Sequence, residues 1–206
     1  MVNILDLIKE LDENKEKDVK CFDQLIEHYQ AYNDRNLVVG EIGPELAIAI
    51  DSIIRFWNKV DEASNTPVEE RKPIKIYIHS PGGYLTSAFS IIDVIKLSKT
   101  PVHTIAIGDT YSGGFFIFLA GHKRFAYPHA SFLYHEGATA NGGDANKFRN
   151  FAKFYDVQLE QLRQFVLANS DISEEEYEKH LKDDWWLTAE EAVKYRIADE
   201  ILTELI

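Results

Sequence analysis

The sequence predicts an α/β fold built on a mainly parallel sheet. Short runs rich in branched apolar residues alternate with amphipathic helical segments over residues 36–135, and residues 136–206 are mostly helical in pattern. Strand–helix–strand alternation implies right-handed crossovers, which place successive strands parallel to one another. The length of 206 residues is most simply one domain with a sizeable core, and we expect that domain over residues 36–206.

The strands are predicted from three short runs in the first half of the chain and one near its end. Residues 36–39, 74–78 and 102–107 are rich in valine, isoleucine and other residues that favour strands. A last strand near residues 199–202 is expected to close the sheet.

The helices are predicted from apolar residues that recur at helical spacing. Residues 44–60 carry one apolar stripe, and residues 84–97 and 144–168 are predicted to be helical as well. Residues 61–73 are polar and contain two prolines, so we expect a loop there. Capping-box sequences of the form Ser/Thr-x-x-Glu begin two further helices, at residues 173–176 and 188–191.

Residues 1–35 are predicted to form a highly charged helical extension that precedes the domain. Leu5, Ile8 and Leu11 recur at helical spacing, and a second apolar set follows later in the segment. Packing on the domain or on a partner is the favoured role of this extension, and a disordered arm is the alternative.

Composition limits the classes of function. The 22 Lys and Arg residues against 34 Asp and Glu residues give a net charge of −12, which argues against a nucleic-acid binder. The single cysteine, Cys21, excludes a disulfide framework within the chain, so a reducing, cytoplasmic setting is expected. No segment reaches the roughly 20 apolar residues of a membrane span, and the N-terminus does not resemble a secretory signal.

Ser112 is the candidate nucleophile. It follows the strand-like run at residues 102–107 and opens an apolar run after Gly113 and Gly114. A serine at such a junction points its hydroxyl out of the sheet, and the N–H groups of the new helix face the same point. Because a serine hydroxyl is a poor nucleophile alone, the chain must also supply a base and an orienting acid.

A second glycine site lies at Ser80-Pro81-Gly82-Gly83, between a predicted strand and a predicted helix. Such a turn presents free N–H groups at the carboxyl end of a parallel sheet. The sequence is neither G-x-G-x-x-G nor a P-loop, so nucleotide binding is poorly supported and a plain tight turn is the simpler interpretation. Alongside Ser112, the turn is the candidate second half of an oxyanion hole.

His135 and Asp184 are the candidate base and acid. The order serine, histidine, acid differs from the order of the α/β-hydrolases, and Thr110 replaces the first glycine of their nucleophile motif. Asp183 is the nearest rival to Asp184, which could also be a simple helix-end acid. The other histidines show no metal-ligand spacing, so neither a metal nor another cofactor is expected.

Taken together, these segments resemble a known family, the proteolytic subunit of the Clp protease, ClpP, from about residue 36 to residue 202. Ser-Pro-Gly-Gly at 80–83 is similar to the family's substrate-side turn, and Tyr-Ser-Gly-Gly at 111–114 is similar to its nucleophile segment. Residues 124–135 resemble its base segment. Asp184, three residues before Leu-Thr-Ala at 187–189, matches its acid, and the separations between the motifs agree as well.

The resemblance implies a crotonase-like spiral of ββα units with a projecting long helix, assembled as two stacked seven-membered rings. It implies a serine protease domain over residues 36–206, with Ser112, His135 and Asp184 as the triad and the N–H groups of Gly83 and Gly113 as the oxyanion hole. It also implies that an AAA+ ATPase feeds unfolded polypeptides to the protein. Residues 1–35 are then expected to cap or line the axial entrance.

The chain departs from the family's pattern at several positions. Glu136-Gly137 follows the base where the family usually has Gln-Pro, and Gly113 replaces a methionine after the nucleophile. Lys75 aligns with one tyrosine of the family's ATPase-docking pocket. Tyr77 aligns with a second tyrosine of that pocket and retains it. Lys182 and Asp183 reverse the signs of the charges that usually precede the acid, so we expect a rearranged ion pair between rings.

Two other classes of function remain open on sequence alone. A crotonase-type acyl-CoA enzyme would share the architecture and a two-donor oxyanion hole without needing the triad. A non-catalytic ring or scaffold subunit would need neither the triad nor the oxyanion hole. Lys123 suggests a Ser–Lys dyad, but the membrane anchor typical of such peptidases is not seen in the sequence.

Overall fold

A computed structural model describes residues 33–137, 144–181 and 183–206. Leu37–Ile206 clusters into one compact unit. The predicted extension at residues 1–35 lies almost entirely outside the described residues, and so does Lys182 of the predicted charge reversal. The helical extension, its place at the axial entrance and the division of the chain at residue 35 therefore stay predictions.

The described residues form one sheet whose main path runs β1-β2-β3-β4-β7. Strand β5 pairs with β3 in parallel, and β6 pairs with β5 in the antiparallel direction. The pairs β2–β3, β3–β4 and β4–β7 are all parallel. The strand bounds are β1 Asn36–Val39, β2 Ile74–Ser80, β3 Val102–Tyr111, β4 Lys123–Ala126, β5 Ser131–Tyr134, β6 Trp185–Thr188 and β7 Glu200–Ile201.

Helices connect these strands, as the alternation in the sequence predicts. We number them within the described residues: α1 Pro44–Ala63, α2 Leu85–Leu97, α3 Gly113–Leu119, α4 Ala145–Asn169, α5 Glu174–Lys179 and α6 Ala189–Lys194. A short 3-10 helix, Val68–Glu70, lies between α1 and β2. The predicted α/β class with a mainly parallel sheet is confirmed. None of the helices in the described ranges is long and apolar enough to cross a bilayer.

The predicted end of α1 is wrong. The helix continues past residue 60 to Ala63, because Asp61 is buried and its carboxylate accepts a hydrogen bond of 2.7 Å from the Thr100 hydroxyl. The predicted loop at residues 61–73 therefore begins later, and it contains the 3-10 turn. A tertiary contact with a residue distant in sequence decides this boundary.

Three strands went unrecognised in the sequence, namely β4, β5 and β6. The expectation that residues 136–206 are mostly helical holds for α4, α5 and α6, but it misses the antiparallel strand Trp185–Thr188. Both β5 and β6 are only four residues long, so neither shows enough alternation to be recognised by period alone. Their pairing is the part of the fold that matters most for the site.

The buried core includes residues of the strands and of helix α3. All seven residues of Gly113–Leu119 are buried, so this helix has no solvent-facing side. A helix that is apolar all round cannot shift without exposing aromatic surface to water. Its first turn is therefore held firmly, and with it the backbone of the preceding Ser112.

Candidate active site

Ser112 occupies the junction between β3 and α3 in a backbone conformation that is unusual for a non-glycine residue. Its φ is 54° and its ψ is −120°. The Ser112 N–H donates to the Leu133 carbonyl at 2.9 Å, and the Ser112 carbonyl accepts from the Phe115 N–H at 3.0 Å. Such conformations are costly and persist where the surroundings enforce them, often at functional sites. The half-buried side chain faces a cleft.

Strand pairing brings His135 and Asp184 together. Tyr134 lies opposite Trp185 in the antiparallel β5–β6 ladder, so the next positions outward are His135 and Asp184. The Nδ1 atom of His135 lies 3.9 Å from Oδ1 of Asp184, which is longer than a hydrogen bond. The His135 side chain is 30% exposed and that of Asp184 is 60% exposed.

Asp183, the rival acid, takes a different position. Its backbone N–H donates to the His180 carbonyl at 3.3 Å. Among the described residues, Asp184 pairs with His135, whereas Asp183 makes no ion pair with it.

The glycine turn packs directly against Ser112. A side chain at Gly82, whose φ is +106°, would place its Cβ 2.7 Å from the Cβ of Ser112. At Gly83, whose φ is +151°, the Cβ would lie 2.1 Å from the Ile42 carbonyl oxygen. The Ile42 N–H donates to Gly82 and the Ile42 carbonyl accepts from Tyr84, both at 2.9 Å. Both positions therefore require glycine on steric grounds.

Two backbone donors are left free beside the serine. Within the described ranges, neither the Gly83 N–H nor the Gly113 N–H donates a hydrogen bond to any protein group. A Cβ built on Gly113 would lie 3.6 Å from the Gly83 nitrogen, so the two glycines are close neighbours. A pair of unsatisfied N–H groups in such a place is suited to bind an anionic oxygen.

These groups line one cleft of about 570 Å³. Ser112, His135, Gly83 and Gly113 all contribute to its wall, whereas Asp184 is not among the residues that line it. The remaining lining residues are mainly apolar or aromatic, with two glutamates: Glu41, Ile42, Tyr84, Leu85, Phe116, Glu136, Gly137, Tyr155 and Leu162. The cleft is large enough for an extended segment of polypeptide to lie beside Ser112.

Burial and nearby charge change the titration of groups around the cleft. Burial raises the pKa of the Glu136 carboxyl, and the negative charge of Glu178 raises that pKa further. Burial also raises the pKa of the Tyr155 phenol, with a smaller effect from Glu136. The Tyr155 hydroxyl donates to the backbone carbonyl of Glu136 at 3.0 Å, which fixes the segment after the histidine.

Sequence reasoning missed two residues that build the site. Ile42 forms an isolated bridge to Gly83, and no motif in the sequence indicates that contact. Trp185, which directly follows Asp184, is buried and stacks on His180 with ring centroids 4.2 Å apart. This packing anchors the chain next to Asp184. Trp186 follows Trp185 in β6. Their aromatic, strand-favouring character was the available signal for β6.

Four of the other described histidines make local hydrogen bonds or ring contacts, namely His79, His103, His122 and His180. His79 and His122 accept hydrogen bonds from the N–H groups of Asp109 and Val102. Burial, with help from nearby positive charges, lowers the pKa of His103 to about 4. In the part of the chain that the structure describes, no group of three potential ligands could hold a metal ion.

Comparison with known proteins agrees with this architecture. The family model described as Clp protease matches residues 66–205. Among curated proteins, the ATP-dependent Clp protease proteolytic subunit 2 of Treponema denticola is 30% identical over 200 residues. That match covers 96% of this chain and 95% of the relative. The Clp protease family is a family of peptidase subunits, and this chain belongs to it as a proteolytic subunit of the ClpP type.

Proposed function

We propose that the protein is a serine endopeptidase in which Ser112, His135 and Asp184 form the catalytic triad. The observation that carries the proposal is the shared cleft, where Ser112 and His135 face the same space and Asp184 backs the histidine. Ser112 Oγ attacks the scissile carbonyl while His135 removes the proton of the serine hydroxyl. His135 then returns that proton to the leaving amine.

Asp184 has the role of orienting the imidazole. Nδ1 is the ring nitrogen that approaches the carboxylate, so Nε2 is left for the serine hydroxyl. The separation of 3.9 Å must shorten by about 1 Å for a hydrogen bond to form. Catalytic hydrogen bonds are often long in free enzymes and tighten when substrate binds.

The N–H groups of Gly83 and Gly113 form the oxyanion hole in this mechanism. Both are free of protein acceptors within the described ranges, and they lie beside Ser112. Negative charge develops on the substrate carbonyl oxygen only as the tetrahedral intermediate forms. Two donors already held in place stabilise that charge without reorganisation, whereas a flexible donor would stabilise it less.

Polypeptides are the proposed substrates, delivered by a partner ATPase. The name of the Treponema denticola relative describes it as ATP-dependent, and this sequence has no nucleotide-binding loop of its own. We propose that an AAA+ unfoldase supplies unfolded chains in the cytoplasm, and that the protein alone cleaves short or unstructured peptides. A stable folded protein offered without an ATPase should survive.

A homo-oligomer of two stacked heptameric rings is the proposed assembly. Helix α4 supports it, because Phe148, Phe154 and Val157 on this helix are each more than half exposed. Large apolar side chains grouped on one element are typical of surfaces that another subunit covers.

Labelling with a fluorophosphonate tests the proposal, because only an activated serine reacts. We expect the wild-type protein to be labelled and to cleave an unstructured peptide, and Ser112→Ala to lose both properties while keeping its fold. Ser90→Ala, which changes an exposed serine on α2, is the matched control and should retain both. Undiminished peptide cleavage by Ser112→Ala would refute the triad. Absence of labelling and cleavage in the wild type would favour the acyl-CoA enzyme or the scaffold subunit.

A further inference from the structure

Glu136 is a charged residue in the cleft that the triad does not use. It follows His135 directly, lines the cleft and is half-buried. Its backbone carbonyl accepts the hydrogen bond from Tyr155. In the described part of the chain, however, the Glu136 carboxylate itself has neither an ion-pair partner nor a hydrogen-bond donor.

Arg163 does not form an ion pair with this carboxylate. Arg163 and Glu136 line an adjoining cavity of about 380 Å³. The Arg163 guanidinium is already shared among three carboxylates, at 3.4–3.6 Å from Glu160, Glu174 and Glu178. Among the described residues that line the cleft itself there is no lysine or arginine, and the second acid is Glu41.

A half-buried carboxylate without a partner favours a cationic ligand. Burial and the charge of Glu178 both disfavour its ionised form, as the raised pKa of Glu136 indicates. An ammonium or guanidinium group placed beside it would reverse that effect and form a charge-assisted hydrogen bond. No lysine or arginine among the described residues that line the cleft supplies this charge, so a substrate would have to bring it.

The rest of the wall suits the stem of a long basic side chain. Ile42, Leu85, Phe116 and Leu162 form apolar surface in the same cleft. The aliphatic part of lysine or arginine packs on such surface while its charged end reaches a polar partner. A cleft whose lining combines apolar side chains with an unpaired carboxylate matches this side chain better than it matches leucine or glutamate.

We infer that Glu136 gives the cleft a preference for polypeptides with a lysine or arginine side chain beside the scissile bond. The inference rests on the proposed function, because it assumes that substrate binds next to Ser112. Glu136 is then a specificity-determining residue that contacts substrate, and it takes no part in proton transfer.

Two fluorogenic peptides test the inference. They differ only at the residue before the cleaved bond, which is lysine in one and norleucine, its neutral analogue of similar length, in the other. In wild type we expect the ratio of kcat/KM, lysine over norleucine, to be about tenfold, the size expected of one charge-assisted contact. Glu136→Gln should bring the ratio close to one, and Glu136→Asp should keep it above one.

Charge reversal and a matched control sharpen the test. Glu136→Lys should prefer a glutamate peptide over the lysine peptide, a reversal that a structural defect would not produce. Glu41→Gln, at an exposed acid on the same cleft, should lower the ratio by less than Glu136→Gln does. Fluorophosphonate labelling identifies the variants whose serine remains activated.

The outcomes separate the inference from the proposed function. A wild-type ratio near one, with hydrolysis that still depends on Ser112, would overturn the inference and leave the proposed function standing. A larger effect from Glu41→Gln than from Glu136→Gln would also overturn it, because selection would then lie with Glu41. Failure of the wild type to cleave either peptide or to be labelled would overturn the proposed function itself.

Discussion

Tyr134 and Trp185 face each other across the antiparallel β5–β6 ladder, and this pairing sets His135 opposite Asp184. On the other side of β5, Leu133 pairs with Tyr111 in parallel, so Ser112 follows the end of the neighbouring strand. The three proposed triad residues thus come directly after β3, directly after β5 and directly before β6. Sheet register, more than loop conformation, determines their alignment.

Replacing Asp184 by Asn should remove most of the peptidase activity. The amide would leave the His135 imidazole in the wrong tautomer, and a comparable change in a serine protease costs about 10⁴ in kcat. Steady-state peptide hydrolysis measures the loss. Asp183→Asn is the control and should stay within about tenfold of wild type, since Asp183 makes no ion pair with His135 among the described residues. The opposite ranking would transfer the role of the acid to Asp183.

Gly83→Ala should reduce activity by displacing a donor of the proposed oxyanion hole. The added Cβ would lie 2.1 Å from the Ile42 carbonyl oxygen, so the turn must move. Loss of one such donor costs about 10² to 10³ in kcat. Gly40→Ala is the control, because a Cβ there meets nothing within 4 Å. If both variants hydrolyse peptide at the wild-type rate, the Gly83 N–H does not bind the oxyanion.

Trp185→Ala should lower both stability and activity. This side chain is 8% exposed, stacks on His180 and contacts Tyr195 edge-on, so its removal leaves a cavity worth about 3 kcal/mol or more. Asp184 is its direct neighbour and should lose its position. Trp186→Ala removes a side chain that is 55% exposed and should cost about 1 kcal/mol or less. Urea unfolding together with peptide hydrolysis compares the two, and equal effects would contradict the proposed anchoring role.

His103 should make the folded protein less stable as the pH falls from about 6.5 towards 4. Burial, followed in importance by the charges of Lys123, His122 and Lys75, lowers its folded pKa to about 4 from the usual 6.5. In this window the unfolded chain binds a proton that the folded chain does not, so lower pH favours unfolding. His103→Gln should weaken the pH dependence of the unfolding midpoint. The exposed His129→Gln should leave that dependence unchanged, and identical slopes in all three proteins would contradict the assignment.

Local sequence patterns predicted the elements that are determined by residues close together in the sequence. Strand β1 falls on the predicted residues, and β7 falls within residues 199–202. The Thr188 capping box is present in full, with the Thr188 hydroxyl and the Glu191 carboxylate each bonded to the other's backbone N–H. The junction at Ser112 was also visible, because the apolar run of α3 follows a strand directly.

Contacts between distant residues account for what was missed. The bridge between Ile42 and Gly83 and the hydrogen bond between Thr100 and Asp61 join segments about 40 residues apart, and no local pattern encodes them. The second predicted capping box is only half present. The Ser173 hydroxyl accepts from the Glu176 N–H, but the Glu176 carboxylate pairs with Lys179 and His180. Competition from these two neighbouring side chains decides that geometry.

The position of β6 gives the fold a point of local vulnerability. Within the described residues this four-residue strand pairs with β5 alone, so its other edge has no ladder partner. Short edge strands open at a lower free energy than the centre of a sheet, and their amide hydrogens exchange sooner. Fraying of β6 would release the segment that carries Asp184 while the buried core around α3 stays intact. Mild heating should therefore inactivate the protein reversibly before it melts.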